Sequence, residues 1–319
     1  MNVNLLCPGM DHRPVVITAT TDNSLMALLS YTESNAEGLQ ELLLKHGAVL
    51  FRGFDINGAS NFQRCVETLG GISFGYIGGN SPRNHVVDNV YTSTEYPASE
   101  VISLHNEMSY LPSWPRRIFF YCMVPAELGG ETSIANGGDV LRSIPDSIVR
   151  KFREKKIKYI RNFLPESSLG KSWQSTYSTT DRSEVEHILS LQGSVGEWRA
   201  DGSLRVETCC EAVFEHPLSK KEVWFNQAEQ WHPSALKPAL RELLQQMLGK
   251  GNMPHECEYE DGEPLDEVEL NIIRSSLNDN KLLFGWHKND IWMIDNISMM
   301  HGREAFKGQR KVMAFLSSV

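Results

Sequence analysis

Apolar residues follow two different rhythms along this chain. Over Ala36–His46, Leu39, Leu42 and Leu43 recur at helical spacing and Gly47 stands ready as a C-terminal cap, so a helix is expected there. Residues 48–51, Ala-Val-Leu-Phe, read as a buried strand. A second short helix is expected near 61–69, where Phe62, Val66 and Leu69 share a face and Gly70-Gly71 stops it. From residue 72 the texture changes to short β-branched and aromatic runs at 86–90, 101–104, 117–123 and 132–135, broken by Gly, Pro, Asn and Ser. Many short strands at irregular spacing predict a β-sandwich or barrel with flanking helices. The polar stretch 165–203 has few apolar clusters and reads as an insertion or lid, a natural substrate gate. Helices over Pro238–Leu248 and 266–277 and strands over 291–294 and 312–316 complete the pattern, without internal repeats.

Composition narrows the class without naming it. With 319 residues, 41% of them hydrophobic and 22% charged, the chain has ordinary globular proportions, and one elaborated domain over 1–319 is expected. It carries 31 basic against 40 acidic side chains, net −9, and its longest basic patch is the short run 153–158, so neither a nucleic-acid nor a membrane partner is expected. The six cysteines form neither a disulfide framework nor a Cys-x-x-Cys. No apolar segment suits a membrane span or signal peptide, so a cytoplasmic protein with free thiols is expected.

Candidate chemistry starts at His105-Asn106-Glu107, behind the strand-like 101–104. On an extended strand residues i and i+2 face the same side, which brings an imidazole and a carboxylate to one point. With 10 histidines and 40 acidic residues, chance supplies roughly one such triplet, so the triplet alone is weak. Context strengthens it: His301 follows the run 291–294, and two histidines with one carboxylate on one face of a metal leave three positions open, as in non-haem Fe(II) oxygenases. Beyond it lies Arg310, whose guanidinium is able to grip a dicarboxylate bidentately.

Through these blocks the chain resembles the taurine dioxygenase-like Fe(II)/2-oxoglutarate-dependent oxygenases. The likeness runs from Gly47-Ala48-Val49-Leu50-Phe51-Arg52-Gly53-Phe54 through His105-x-Glu107 and Gly129-Gly130-Glu131-Thr132 to His301-Gly302-Arg303 and Arg310, in the family's order. It implies a double-stranded β-helix, or jelly roll, with iron on His105, Glu107 and His301, and 2-oxoglutarate's distal carboxylate on Thr132 and Arg310. It further implies C–H hydroxylation coupled to conversion of 2-oxoglutarate and O2 to succinate and CO2, desaturation or ring closure being variants. Glutamate at 107, where aspartate is commoner, is similar to the clavaminate synthase-like branch and to amino-acid hydroxylases of antibiotic and nonribosomal-peptide pathways. That branch implies an amino-acid-like substrate, free or bound to a carrier protein. Halogenating relatives carry Gly or Ala at this position, so Glu107 argues against halogenation; Ala314, where an arginine often serves an anionic substrate, argues against taurine.

Other residues carry a substrate role beside a plainer one. Asn80, Ser81 and Arg83 belong to a turn-rich segment near the expected entrance, and Trp224 and Asn226 line the pocket or serve as core aromatic and turn residue. The remaining histidines, among them His216, His232 and His255, read as surface or satisfied polar residues. Asp295 and Asn296 are expected to make turn hydrogen bonds, and Arg303 to pair with Glu304 or another surface acid; Lys311 replaces Arg310 if the strand register slips by one. Two further readings stay open. One is a jelly-roll isomerase or lyase working without 2-oxoglutarate, which needs no dicarboxylate clamp. The other is a non-catalytic jelly-roll binding protein, in which loss of a ligand would be expected.

Overall fold

The computed structural model describes residues 1–6, 13–75, 78–79, 85–87, 89–93, 96–164, 170–249 and 251–319. Eight strands form a major sheet in the spatial order Asn2–Leu5, Val15–Thr18, Ala48–Arg52, Ile291–Asp295, Arg117–Val124, Lys311–Ser317, Val90–Thr92 and His85–Val87. All neighbours are antiparallel except Val15–Thr18 and Ala48–Arg52, whose parallel pairing is bridged by the helices Leu25–Ser34 and Ala36–His46. Gly47 closes the second helix in the left-handed conformation.

The central strands are apolar at nearly every position because both faces of the sheet are covered. Along Arg117–Val124, Ile118, Phe120 and Cys122 join the core inside the molecule, while Phe119 and Tyr121 join the core under the helices. Trp292 and Ile294 alternate in the same way with Ile291 and Met293, as do Val312, Ala314 and Leu316 with Met313 and Phe315. The outer core holds Leu39 and Leu43 of the Ala36–His46 helix and Phe62 and Val66 of the helix Ala59–Thr68. Against the inner face lies a minor antiparallel sheet in the order Leu282–Phe284, Thr132–Asn136, Met299–Arg303 and Ile102–His105. The two sheets form the jelly roll.

A third sheet, Val195–Trp198, Leu204–Cys210, Ile157–Phe163 and His255–Glu258, flanks it. The described part of the 165–203 segment builds the helices Trp173–Tyr177 and Arg182–Leu191 and the strand Val195–Trp198. Their apolar residues are few but spaced i, i+4, as in Trp173 with Tyr177 and Val185 with Leu189, and that suffices to bury a separate cluster with Phe163 and Val206. The run 86–90 is likewise divided between two antiparallel strands, with Asn89 in the turn between them. The five described cysteines are free, and no described helix is long and apolar enough to cross a membrane.

Candidate metal centre

Strand pairing sets the two histidines face to face. Ile102–His105 runs antiparallel to Met299–Arg303 with His105 directly opposite His301, and partners so placed point to the same side of a sheet. Their ring centroids lie 4.4 Å apart. The approach depends on Gly302, where a Cβ would stand 2.5 Å from the Ile102 carbonyl oxygen and 2.7 Å from Ser133 Oγ.

Glu107 reaches the same point by another route than the strand geometry expected of it. The strand ends at His105, and Glu107 enters a turn in which Met108 is left-handed with φ 59°. Its aim is fixed by Asn296, which is fully buried. Asn296 Oδ1 accepts from Glu107 N at 2.7 Å, and Asn296 Nδ2 donates to the Glu107 carbonyl at 3.0 Å and the Pro115 carbonyl at 2.8 Å. Asn106 ties the two segments again, donating from Nδ2 to the Asn296 carbonyl at 2.7 Å. Asn296 does make hydrogen bonds, but it holds the backbone of the carboxylate residue rather than its own turn. Asp295 makes the expected turn bonds to the Ile297 and Ser298 N–H groups and a buried pair with His216 Nε2 at 2.8 Å.

Donor atoms of His105, Glu107 and His301 all lie within 4.8 Å of one another, and His301 Nε2 stands 3.6 Å from Glu107 Oε2. Glu107 and His301 are buried. His105 Nδ1 is 2.9 Å from the Ser103 carbonyl; donating there leaves the Nε2 lone pair for a metal, the usual arrangement of a ligating imidazole. Ser103 is braced in turn by Gln230 Nε2 at 2.9 Å on its carbonyl, and its hydroxyl donates to the buried carboxylate of Glu229 at 2.7 Å. Two imidazole nitrogens and one carboxylate on one side of a point fit an octahedral Fe(II) with three further positions.

His105 lines two cavities. The first has an empty volume of about 380 Å³ and also reaches His301, Thr132, Arg303 and Arg310. Thr132 Oγ1 accepts from Trp286 Nε1 at 3.1 Å, so its own proton is free to be donated. Arg310 donates from Nε to the Gly130 carbonyl at 3.0 Å, and among the described residues no carboxylate pairs with it. Burial, with the charge of Arg303 adding to it, pushes its pKa down to about 10, which still leaves it a cation at neutral pH. Lys311 is exposed on the first position of its strand. Arg303 forms no pair with Glu304, contrary to expectation: it is buried and donates to the carbonyls of Tyr96, Pro97 and Glu100, while Glu304 pairs with Lys281 at 2.9 Å.

The second cavity, of about 520 Å³, shares Ile102 and His105 with the first and is further walled by Glu107, Tyr110, Gln230, Trp231 and His255. These residues were not singled out as a group in the sequence, since they come from three distant segments. Trp224 and Asn226, read as pocket residues or as core aromatic and turn residue, line neither cavity. Trp224 is buried against Phe152 with ring centroids 5.2 Å apart, and Asn226 donates to the Ala212 carbonyl and accepts from Ala228 N. Packing and backbone satisfaction account for both. Asn80, Ser81 and Arg83 lie outside the described residues.

Residues 11–315 match the family described as "Taurine catabolism dioxygenase TauD, TfdA family". The chain belongs to the TauD/TfdA family. As a TauD/TfdA dioxygenase it uses the family's cofactors, Fe(II) and 2-oxoglutarate, and it acts with O2 on a small molecule. It is 36% identical over 315 residues, covering 99% of this chain and 94% of the relative, to the dapdiamide synthesis protein DdaC of Enterobacter agglomerans. A clavaminate synthase-like protein of Arabidopsis thaliana is 30% identical over 287 residues, with 87% and 83% covered. Among solved structures, PvcB of Pseudomonas aeruginosa superposes with a TM-score of 0.57 at 15% identity, covering 99% of this chain and 94% of that one. A second PvcB structure, described as an Fe, alpha-ketoglutarate dependent oxygenase from an isonitrile synthetic pathway, gives 0.54 at the same identity and coverage. At that identity the likeness speaks for the fold alone.

Proposed function

We propose that this dioxygenase hydroxylates an unactivated C–H bond of an amino acid or amino-acid-derived molecule, free or carrier-bound, in specialised metabolism. His105, Glu107 and His301 are the iron ligands in this reading, and Thr132 with Arg310 holds the distal carboxylate of 2-oxoglutarate. The observation that carries it is the partly buried guanidinium of Arg310, with no carboxylate paired to it among the described residues, beside the converging triad. A withdrawn cation is stabilised by a carboxylate of fitting geometry, and an isomerase or lyase would have no use for one. The Glu107 variant of the triad and the naming of DdaC for dapdiamide synthesis support the biosynthetic setting. Free thiols are in keeping with the cytoplasm.

With iron and 2-oxoglutarate bound, the site supplies an oxidant for the substrate C–H, yielding succinate and CO2 as co-products. The chain's own part is placement. Asn296 and Asn106 fix the carboxylate ligand, Ser103 fixes the tautomer of His105, and Trp286 turns the Thr132 hydroxyl proton toward the first cavity. The substrate occupies the second cavity, which shares His105 with that of the cosubstrate. The 165–203 segment acts as its lid within a single domain spanning 1–319. Gly78 N donates to the Thr176 carbonyl and Lys171 Nζ to the Gly79 carbonyl, linking that segment to the turn at 78–79.

The test is anaerobic titration of metal-free protein with Fe(II) and 2-oxoglutarate, following the weak visible charge-transfer band of the chelate. The band is expected only when both are present, to be lost in His105→Ala and His301→Ala, and to need far more 2-oxoglutarate in Arg310→Ala. A folded, iron-loaded protein that gives no band overturns the reading.

A further inference from the structure

A second guanidinium, with no carboxylate paired to it among the described residues, lies behind the Tyr110 and His255 walls of the other cavity. Arg161 lies on Ile157–Phe163 directly opposite His255 across the ladder, so the two side chains share a face. Tyr159, two positions earlier on that face, packs edge-on against Tyr110 and Trp231, with centroids 6.4 and 5.1 Å away. Tyr110, Trp231 and His255 are walls of the second cavity, and the Arg161 Cζ stands 5.7 Å from the Tyr110 ring centroid.

Arg161 is 3% exposed, yet among the described residues its hydrogen bonds go to neutral groups: Nη1 donates to the Gly78 carbonyl at 2.8 Å and Nη2 to the Tyr177 hydroxyl at 3.2 Å. Among the described residues no carboxylate pairs with it. Elsewhere the fold does provide such partners, as Asp290 for Arg52 at 2.7 Å and Glu229 for Arg274 at 3.4 Å. Burial and the charge of Arg161 lower the Lys171 pKa, and the same two causes hold His255 down at about 4, neutral near pH 7. A buried cation left this way is costly unless a ligand completes it.

We propose that Arg161, with Lys171 near it, binds a free carboxylate of the substrate and so fixes which carbon faces the metal centre. The inference rests on the reading of the second cavity as the substrate site. It narrows that reading, because a carboxylate gripped by Arg161 is not tied up as a carrier thioester. The preferred substrate is thus a free acid at that position.

The test uses the anaerobic Fe(II) and 2-oxoglutarate complex, titrated with a panel of the standard L-amino acids and their N-acetyl derivatives, each as the acid and as the carboxamide. Perturbation of the chelate band reads binding without turnover. At least one acid is expected to bind, with its amide about 10- to 100-fold weaker, the scale of a charge-assisted contact. Arg161→Gln should erase that difference and Arg161→Lys should keep part of it. Equal affinity of acids and amides, an acid preference that survives in Arg161→Gln, or no response to any acid overturns the proposal. If Arg161→Gln fails to fold, the acid and amide comparison in the unaltered protein and in Arg161→Lys still decides. Formation of the band itself reports separately on the cofactor reading, so the two failures are distinguishable.

Discussion

Replacing Asn296 by alanine tests whether the carboxylate ligand is held from behind. The side chain makes three hydrogen bonds, at 2.7, 3.0 and 2.8 Å, to backbone groups on both sides of Glu107 and at Pro115. It is 0% exposed, so bulk water does not take over its role. A buried backbone group left unsatisfied costs about 1–3 kcal/mol, which puts the loss for three groups at about 3–9 kcal/mol. Against a typical total of about 5–15 kcal/mol that is a large part of the stability. With a urea slope of about 3 kcal/mol/M, the midpoint of unfolding should fall by about 1–3 M. Release of Glu107 should in addition weaken Fe(II) binding about 10- to 100-fold, the usual effect of removing support behind a ligand. Asn296→Asp separates the two halves of the contact, since it keeps the acceptor for Glu107 N and loses both donors. An Asn296→Ala protein whose urea midpoint moves by less than about 0.3 M and whose Fe(II) affinity is unchanged would refute the argument.

Three other outcomes are expected. Gly302→Ala places a Cβ 2.5 Å from the Ile102 carbonyl oxygen, so it should lower stability by about 1–3 kcal/mol and impair iron binding by prising His105 from His301; a calorimetric scan with and without Fe(II) checks both. Thr132→Val should raise the 2-oxoglutarate dissociation constant about 5- to 10-fold and Arg310→Ala more strongly, read from the chelate band, with little effect of either on Fe(II) affinity alone. Burial holds His232 at about 4 in the folded protein, below its ordinary 6.5. The unfolded chain therefore takes up a proton that the folded one refuses as pH falls from 6.5 toward 4, and stability drops across that window and is regained above it. His232→Asn should flatten that part of a urea stability profile; an unchanged slope contradicts the assignment.

Much of this was legible in the linear sequence, for reasons that differ by element. The Ala36–His46 helix and its Gly47 cap are visible because periodicity and a left-handed terminator coincide. The central strands of the major sheet, at 48–51, 117–123, 291–294 and 312–316, are visible as apolar runs because both faces are buried. The third sheet was not singled out: Ile157–Phe163 begins within a basic run, where Lys155, Lys156 and Lys158 are answered by Asp261, Glu211 and Glu258, and those partners are remote in sequence. The pairing of Arg161 with His255, the latter read from sequence only as a surface or satisfied polar residue, escapes notice for the same reason, since it is a property of strand register. For Trp224 and Asn226 the sequence left a pocket role and a core or turn role side by side, and their contacts match the second. An aromatic beside an amide near a lid has the look of a pocket, but burial against Phe152 and bonds to two backbone groups consume both side chains. The role of Asn296 has a faint signal, an Asx residue ahead of the second histidine, but the target of its hydrogen bonds is visible only in three dimensions.

The lock between Asn106 and Asn296 joins positions 190 residues apart, and the two histidines face each other across the same junction. During synthesis, the segment carrying His105 and Glu107 therefore waits for most of the intervening chain before the opposing strand can dock. A ribosome-bound fragment ending before that strand holds one imidazole and one carboxylate, a poor grip on a divalent ion. By this ordering iron uptake is expected to wait until the surrounding walls exist, so that a redox-active metal would not be held on a half-made protein where its chemistry would fall on the polypeptide itself.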